Sequence, residues 1–340
     1  MKFFDNTKNL SLFYIALYTA ILLIVLGIFK DIFIVIVVTV FNVILLKPIV
    51  FFFKKNFRFS SRISKILALS IFFFGFIIIL VFLIPAVTKE LGNFIKLITD
   101  VFNEKLWRDY LKESPNLQEL VDKFMDFVQP KMLEFADYLF NMFISRFPEV
   151  VMIVFFGILG TIYVTFYMDT VGSAFEKIFP KRCRSEIRVF IKDLYDNMER
   201  FVLAVFITAL ITGFSFWAVF RIFGLDYSAV VGAWAFITNF IPIVGVFLEY
   251  IPVFLFSLSL GIKGIIWIAL FTVIIHSIAF ILFIHLMKGY AKLNPIYIIF
   301  SILLFGKVFG FLGVFIAVPL AIYIQIMWKR FVGPIFERVV

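Results

Sequence analysis

Polar residues in this 340-residue chain are confined to the gaps between long apolar runs. Residues 12–29, 32–46, 66–87, 150–168, 201–220, 229–260, 265–287 and 295–328 carry almost no charge. A helix needs about 20 apolar residues to cross ~30 Å of hydrocarbon, and most of these runs reach that length. A soluble domain of this size has no room to bury so many. The pattern predicts an all-α polytopic membrane protein with about eight hydrophobic segments. No small-residue cleavage site follows the first run, so residues 12–29 read as a span and not a signal peptide.

The gaps assign the sides. Lys54, Lys55, Arg58, Arg62 and Lys65 make the loop after the second run purely basic, the mark of a cytoplasmic loop. Two spans precede it, so the N-terminus, with Lys2 and Lys8, is expected on the same side. Residues 88–148 then lie outside, and there acids outnumber bases although the whole chain carries a net charge of +10. Leu91, Phe94, Ile95, Ile98, Phe102 and Leu106 recur at helical spacing, predicting an amphipathic helix. Ser114-Pro115 starts a second helix, whose apolar side carries Leu117, Leu120, Val121, Phe124, Phe127 and Val128. Two or three helices are expected at the outer surface, and a stripe they do not fully bury predicts a homo-oligomer. Ile187, Phe190, Ile191, Leu194 and Met198 form another stripe among basic residues, the pattern of a cytoplasmic membrane-surface helix. The expected divisions are transmembrane helices in 1–87, the extracytoplasmic helical segment 88–148, a span and cytoplasmic amphipathic helix in 149–200, and a transport core in 201–340.

The last third breaks the simple pattern. Residues 229–260 and 295–328 are too long for one straight span, and each is interrupted midway. Thr238, Asn239, Pro242, Gly245, Glu249 and Pro252 interrupt the first; Gly306, Lys307, Gly310, Gly313 and Pro319 interrupt the second. Gly245-Val246-Phe247 running on to Pro252 is echoed by Gly313-Val314-Phe315 running on to Pro319. Each segment either crosses once, leaving Lys288 and Lys292 outside, or forms a re-entrant hairpin, leaving them inside as the positive-inside bias favours. Non-helical backbone at membrane depth is tolerated only where protein or a wet cavity surrounds it. Paired broken segments of related sequence therefore point to a transport site, where half-helix ends offer free N–H and C=O groups.

Composition narrows the chemistry further. Hydrophobic residues make up 63% of the chain and charged residues 16%, and the basic residues cluster beside spans, fitting lipid headgroups and not nucleic acid. The 51 phenylalanines read as lipid-facing bias. Cys183 is the single cysteine, which rules out an intrachain disulfide. A carboxylate in hydrocarbon is costly unless paired or hydrated, so Glu249 is suited to carry a proton or bind Na⁺. Lys307 is placed to neutralise an anion, to pair with Glu249, or to snorkel to the surface. Thr238 and Asn239 offer neutral oxygens and a donor. His276, a weaker proton-relay candidate, and His285 are nine residues apart and face different sides of one helix, so they share no metal. No phosphate-binding Gly-Lys-Ser/Thr loop, metal-ligand cluster or catalytic constellation is present, so neither a cofactor nor an enzymatic activity is expected.

Two stretches carry a family resemblance. Asn239-Phe240-Ile241-Pro242-Ile243-Val244-Gly245 resembles the Asn-aromatic-Ile-Pro-x-x-Gly signature of the AI-2E family of bacterial permeases, the autoinducer-2 exporter-like group. Asn294-Pro295, Gly306-Lys307-Val308-Phe309-Gly310-Phe311-Leu312-Gly313 and Ala317-Val318-Pro319 are similar to that family's closing motifs. Leu286–Lys292 departs from the family's Pro-Lys stretch, and Glu249 is not part of the signature. In either reading of the last third Lys329 and Arg330 are cytoplasmic, so the charge pattern leaves both termini inside. The resemblance implies an inner-membrane transporter, read here as a secondary one. It would export a small polar solute of the autoinducer-2 kind or exchange Na⁺ for H⁺. A channel-like pore, or a scaffold binding partners through its outer helices, is the alternative.

Overall fold

The computed structural model describes residues 7–103, 105, 108, 115–225, 227–241, 244–257, 260–287 and 295–336. Among them every regular element is helical: α1 (Thr7–Ile28), α2 (Lys30–Asn56), α3 (Ser61–Asn103), α4 (Pro115–Lys177), α5 (Arg184–Ile222), α6 (Ser228–Thr238), α7 (Val244–Ser257), α8 (Gly261–Met287), α9 (Pro295–Phe309), α10 (Phe311–Met327) and α11 (Gly333–Phe336). Seven stretches are long and apolar enough to cross a bilayer. They are Thr7–Val25, Ile32–Asn56, Ser61–Phe82, Val151–Lys177, Lys181–Ile222, Lys263–Met287 and Gly313–Phe336. The chain is thus an all-α polytopic membrane protein, and α6, α7 and α9 are the shorter apolar helices that complete it. Lys2, Leu106, Ser114, Asp226, Pro242, Lys288, Lys292 and Asn294 lie outside the described residues, as do the side chains of Leu91, Phe94, Ile95, Ile98, Phe102 and Leu117.

The third and fourth spans do not stop at the hydrocarbon edge. With 43 residues α3 is about 65 Å long, and the 63 residues of α4 give about 95 Å, against ~30 Å of hydrocarbon. Nothing in the sequence near residue 88 ends α3: helix formers continue beyond Pro85, so the apolar span runs directly into the amphipathic segment. Among the described residues, those of 88–148 are therefore mostly the far half of α3 and the near half of α4, continuous with the spans, where separate surface helices were expected. Pro115 opens α4 as its first-turn residue, and α4 is kinked at Tyr167 (φ −110°, ψ 22°). At the turn between the two, Arg108 donates to both oxygens of Asp122, the shortest bond 2.6 Å, and this contact raises the guanidinium pKa above its ordinary value. Met125 and Val128 of α4 pack against the cluster Phe216, Phe220 and Leu225, so this arm touches the end of α5. Leu120, Phe124 and Phe127 on the same arm stay exposed at 66%, 61% and 61%.

The basic stripe at 187–198 differs from expectation in its partner. It is the first part of α5, continuous with the fifth span. Ile187 and Phe190 are buried with Ile15 of α1, Phe179, Cys183 and Phe331, with Ile191 and Leu194 packed against them. A face buried on protein is unavailable to a membrane surface. Arg330 fixes the C-terminal turn there, donating to Asp193 Oδ2 at 2.9 Å and to Glu186 Oε2 at 3.3 Å. Cys183 is a free, buried thiol.

Further along α5 the packing tightens. Gly213 lies against Gly232 of α6, and a Cβ on either would fall 2.8 Å from the other's carbonyl oxygen. Small residues allow such approach between apolar helices, where close packing and not water release holds the pair. Phe201, Val202 and Val205 of α5 meet Ile44 of α2 and Val318 and Ile322 of α10, placing α5 at the centre of the bundle.

Candidate functional site

Both broken segments fold as antiparallel helical hairpins. In the first, Trp234 Nε1 of α6 donates to the Leu248 carbonyl of α7 at 2.9 Å. Gly245 rests on the Thr238 carbonyl so closely that a Cβ would collide with it. In the second, a Cβ at Gly313 of α10 would strike the Phe305 carbonyl of α9, and one at Gly306 would come within 2.9 Å of Val314 Cγ2. The repeated Gly-Val-Phe thus has one physical meaning in both places. Its glycine opens the second arm and brings it into backbone contact with the first.

The turns differ. In the first, two amides are satisfied locally: that of Ile241 donates to the Thr238 carbonyl at 2.9 Å and that of Gly245 to the Ile241 carbonyl at 2.8 Å. Thr238 is buried and donates its hydroxyl to the Trp234 carbonyl at 2.8 Å, while Asn239 is half-buried as the C-cap of α6. In the second, a single residue breaks the helix: Gly310 sits at φ 65°, ψ −144°, a region essentially closed to residues with a Cβ. The arms of 11, 14 and 15 residues are about 16–23 Å long, too short to cross alone. The helical stretch from Gly313 of α10 through α11 to Phe336 is long enough. Pro319 is buried inside α10.

The hairpins meet through aromatic rings. Phe240, at the turn of the first, stacks on Phe315 of α10 with centroids 5.6 Å apart, and Phe315 lies 5.3 Å from Phe41 of α2. The backbone hydrogen bonds described at the first turn stay within it. Thr238, Asn239 and Gly245 are gathered at one turn and Gly306, Gly310 and Gly313 at the other. Pro242 lies outside the described residues. Lys307 is exposed, and the group beside Glu249 is His276.

Glu249 is 1% exposed, one turn along α7 from Gly245. His276 Nε2 of α8 lies 3.4 Å from its Oε1, at ion-pair distance. The imidazole is flanked by the rings of Phe216 and Tyr250, centroids 5.9 and 5.8 Å away. Sequence reasoning singled out both residues without pairing them, since 27 positions and a helix turn separate them. It also passed over Phe240 and Phe315 as members of a contact, and over Lys47, which binds Glu199 and lies 4.8 Å from the Tyr195 ring centroid. A lysine at the edge of an apolar run was the available signal for the last.

Comparison with known proteins agrees with this architecture. Residues 12–333 match the AI-2E family transporter. A Thermotoga maritima protein named "Putative transport protein" is 47% identical over 330 residues, covering 97% of both chains. A Bacillus subtilis protein named "Putative transport protein YrrI" is 26% identical over 187 residues, covering 52% of both chains. A family match over nearly the whole length of a polytopic helical chain with two broken-helix hairpins leads to one conclusion: this protein belongs to the AI-2E family of membrane transporters.

Proposed function

We propose that the protein is a secondary transporter of the bacterial inner membrane, with both termini cytoplasmic. It moves a small polar solute of the autoinducer-2 kind or exchanges Na⁺ for H⁺. The observation that carries this reading is the pair of glycine-closed hairpins in contact at Phe240 and Phe315. Discontinuous helices inside a bundle are where secondary transporters bind substrate and coupling ions. Short arms in backbone contact with each other can shift as a unit. Thr238, Asn239, Gly245, Gly306, Gly310 and Gly313 line the turns in this reading; Lys307, exposed on α9, sits at its edge. No step of the reading requires a cofactor or a chemical conversion.

Purified protein in proteoliposomes tests it. A saturable flux of Na⁺, H⁺ or a small polyol, driven by an imposed ΔpH or Na⁺ gradient, is the expected result. Single-channel currents without gradient coupling would instead establish a pore. The exposed Leu120, Phe124 and Phe127 on the outer arm of α4 favour a second element of the reading, a homo-oligomer assembled through that arm. Light scattering of the solubilised protein is expected to give a multiple of the 39.6 kDa chain mass. A monomeric mass would remove the oligomer.

A further inference from the structure

We propose that Glu249 and His276 together form a one-proton site, and that this site couples protons to movement of the α6–α7 hairpin. The coupling rests on the transporter reading above; the proton site itself does not. Both carboxylate oxygens of Glu249 and Nε2 of His276 are buried without a hydrogen-bond partner among the described residues. A buried carboxylate held by nothing is costly, and such groups persist where they are used. Among the described residues, the one charge-capable neighbour in reach is the imidazole, 3.4 Å away.

The remaining surroundings are apolar or distant. α6 contains no charged residue and α7 none besides Glu249, with the Tyr250 phenol beside the imidazole. On α8, Lys263 and His285 lie 13 and nine residues from His276, roughly 20 and 14 Å along the axis. On α5, Phe216 faces the imidazole; Arg221 follows five residues later, exposed, and Arg200 precedes it by 16 residues, roughly 24 Å.

Charge counting then fixes the stoichiometry. Without a proton the pair carries −1, with one it is neutral, and with two it carries +1. An apolar pocket favours the neutral state, in which one proton is shared as carboxylic acid beside imidazole or as carboxylate beside imidazolium. Releasing that proton leaves a buried negative charge, which water or a cation must then compensate. Glu249 rides on an arm of the hairpin and His276 on a full-length helix, so movement of α7 against α8 separates the two. The −1 state becomes tolerable only once the carboxylate reaches a wet passage. Proton occupancy and hairpin position are thereby linked.

The two histidines of the chain make the site readable. In bilayer-reconstituted protein with ¹⁵N-labelled histidine, solid-state NMR follows each imidazole across pH, with His285→Gln assigning the signals. In the wild type, the first proton neutralises a buried −1. In Glu249→Gln it creates a buried +1. The transition reported by His276 should therefore require at least about tenfold more protons in Glu249→Gln, while that of His285 stays in place. An unmoved His276 transition would overturn the proton site, whatever the flux data show. In proteoliposomes, Glu249→Gln and His276→Gln should each abolish ΔpH-driven flux while keeping the wild-type melting temperature. A shifted His276 transition with unaltered pH dependence of flux in Glu249→Gln would overturn the coupling. If the wild type shows no gradient-driven flux, the transporter reading and the coupling with it fail, and the NMR arm still decides the proton site.

Discussion

At the scale of single residues, two kinds of position carry the site: glycines that let backbones touch and a carboxylate that nothing else explains. Gly245 and Gly313 each abut a carbonyl of the opposite arm, so a methyl group there forces the arms apart. Gly245→Ala and Gly313→Ala are expected to destabilise the protein by about 1–3 kcal/mol, the usual cost of overpacking a tight contact. Gly75, where a Cβ would meet nothing within 4 Å, is the control: Gly75→Ala should leave thermal unfolding unchanged or raise its midpoint. Equal melting shifts at all three positions would mean the hairpin glycines are not close contacts. These glycines were legible in the sequence, because a repeated Gly-Val-Phe among helix breakers marks a turn. The neighbour of Glu249 was not legible. Periodicity places a residue on a face of its own helix, whereas the approach of α7 to α8 is decided by packing around Phe216, Val253 and Ile275.

At the scale of elements, apolar runs predicted where helices cross but not where they end. α3 and α4 continue far past the hydrocarbon because a change from apolar to amphipathic patterning alters a helix's surroundings without breaking it. The stripe at Ile187, Phe190, Ile191 and Leu194 was equally visible, yet a stripe does not say whether lipid or protein will cover it. Here α1 and the C-terminal turn do. The outer arm gives a topological prediction. A cysteine introduced at the exposed Asn116, in a Cys183→Ser background, is expected to react with an impermeant maleimide added outside intact cells. Reaction only after the inner membrane is permeabilised would invert the orientation assigned from the basic loop at Lys54–Lys65.

At the scale of the whole molecule, two short hairpins pack against a frame of longer helices through aromatic and small residues, each keeping an exposed apolar face. Arg330 with Glu186 and Asp193, and Lys47 with Glu199, tie the first half of α5 to the C-terminal turn and to α2, whereas the contact between the two hairpins is made without an ion pair among the described residues. Such a division suits a rigid frame with movable hairpins, and under the proposed function the hairpin contact is the point where transport can be stopped. The decisive measurement is therefore gradient-driven flux through the Phe240→Cys, Phe315→Cys, Cys183→Ser variant in proteoliposomes, before and after cross-linking. With ring centroids 5.6 Å apart in the parent protein, the two thiols should be bridged by oxidation or by a short reducible bis-thiosulfonate that spans the space the rings leave. Flux should fall to background on cross-linking and recover on reduction. Undiminished flux through fully cross-linked protein would contradict the account, because the hairpins would then have no part in moving the substrate.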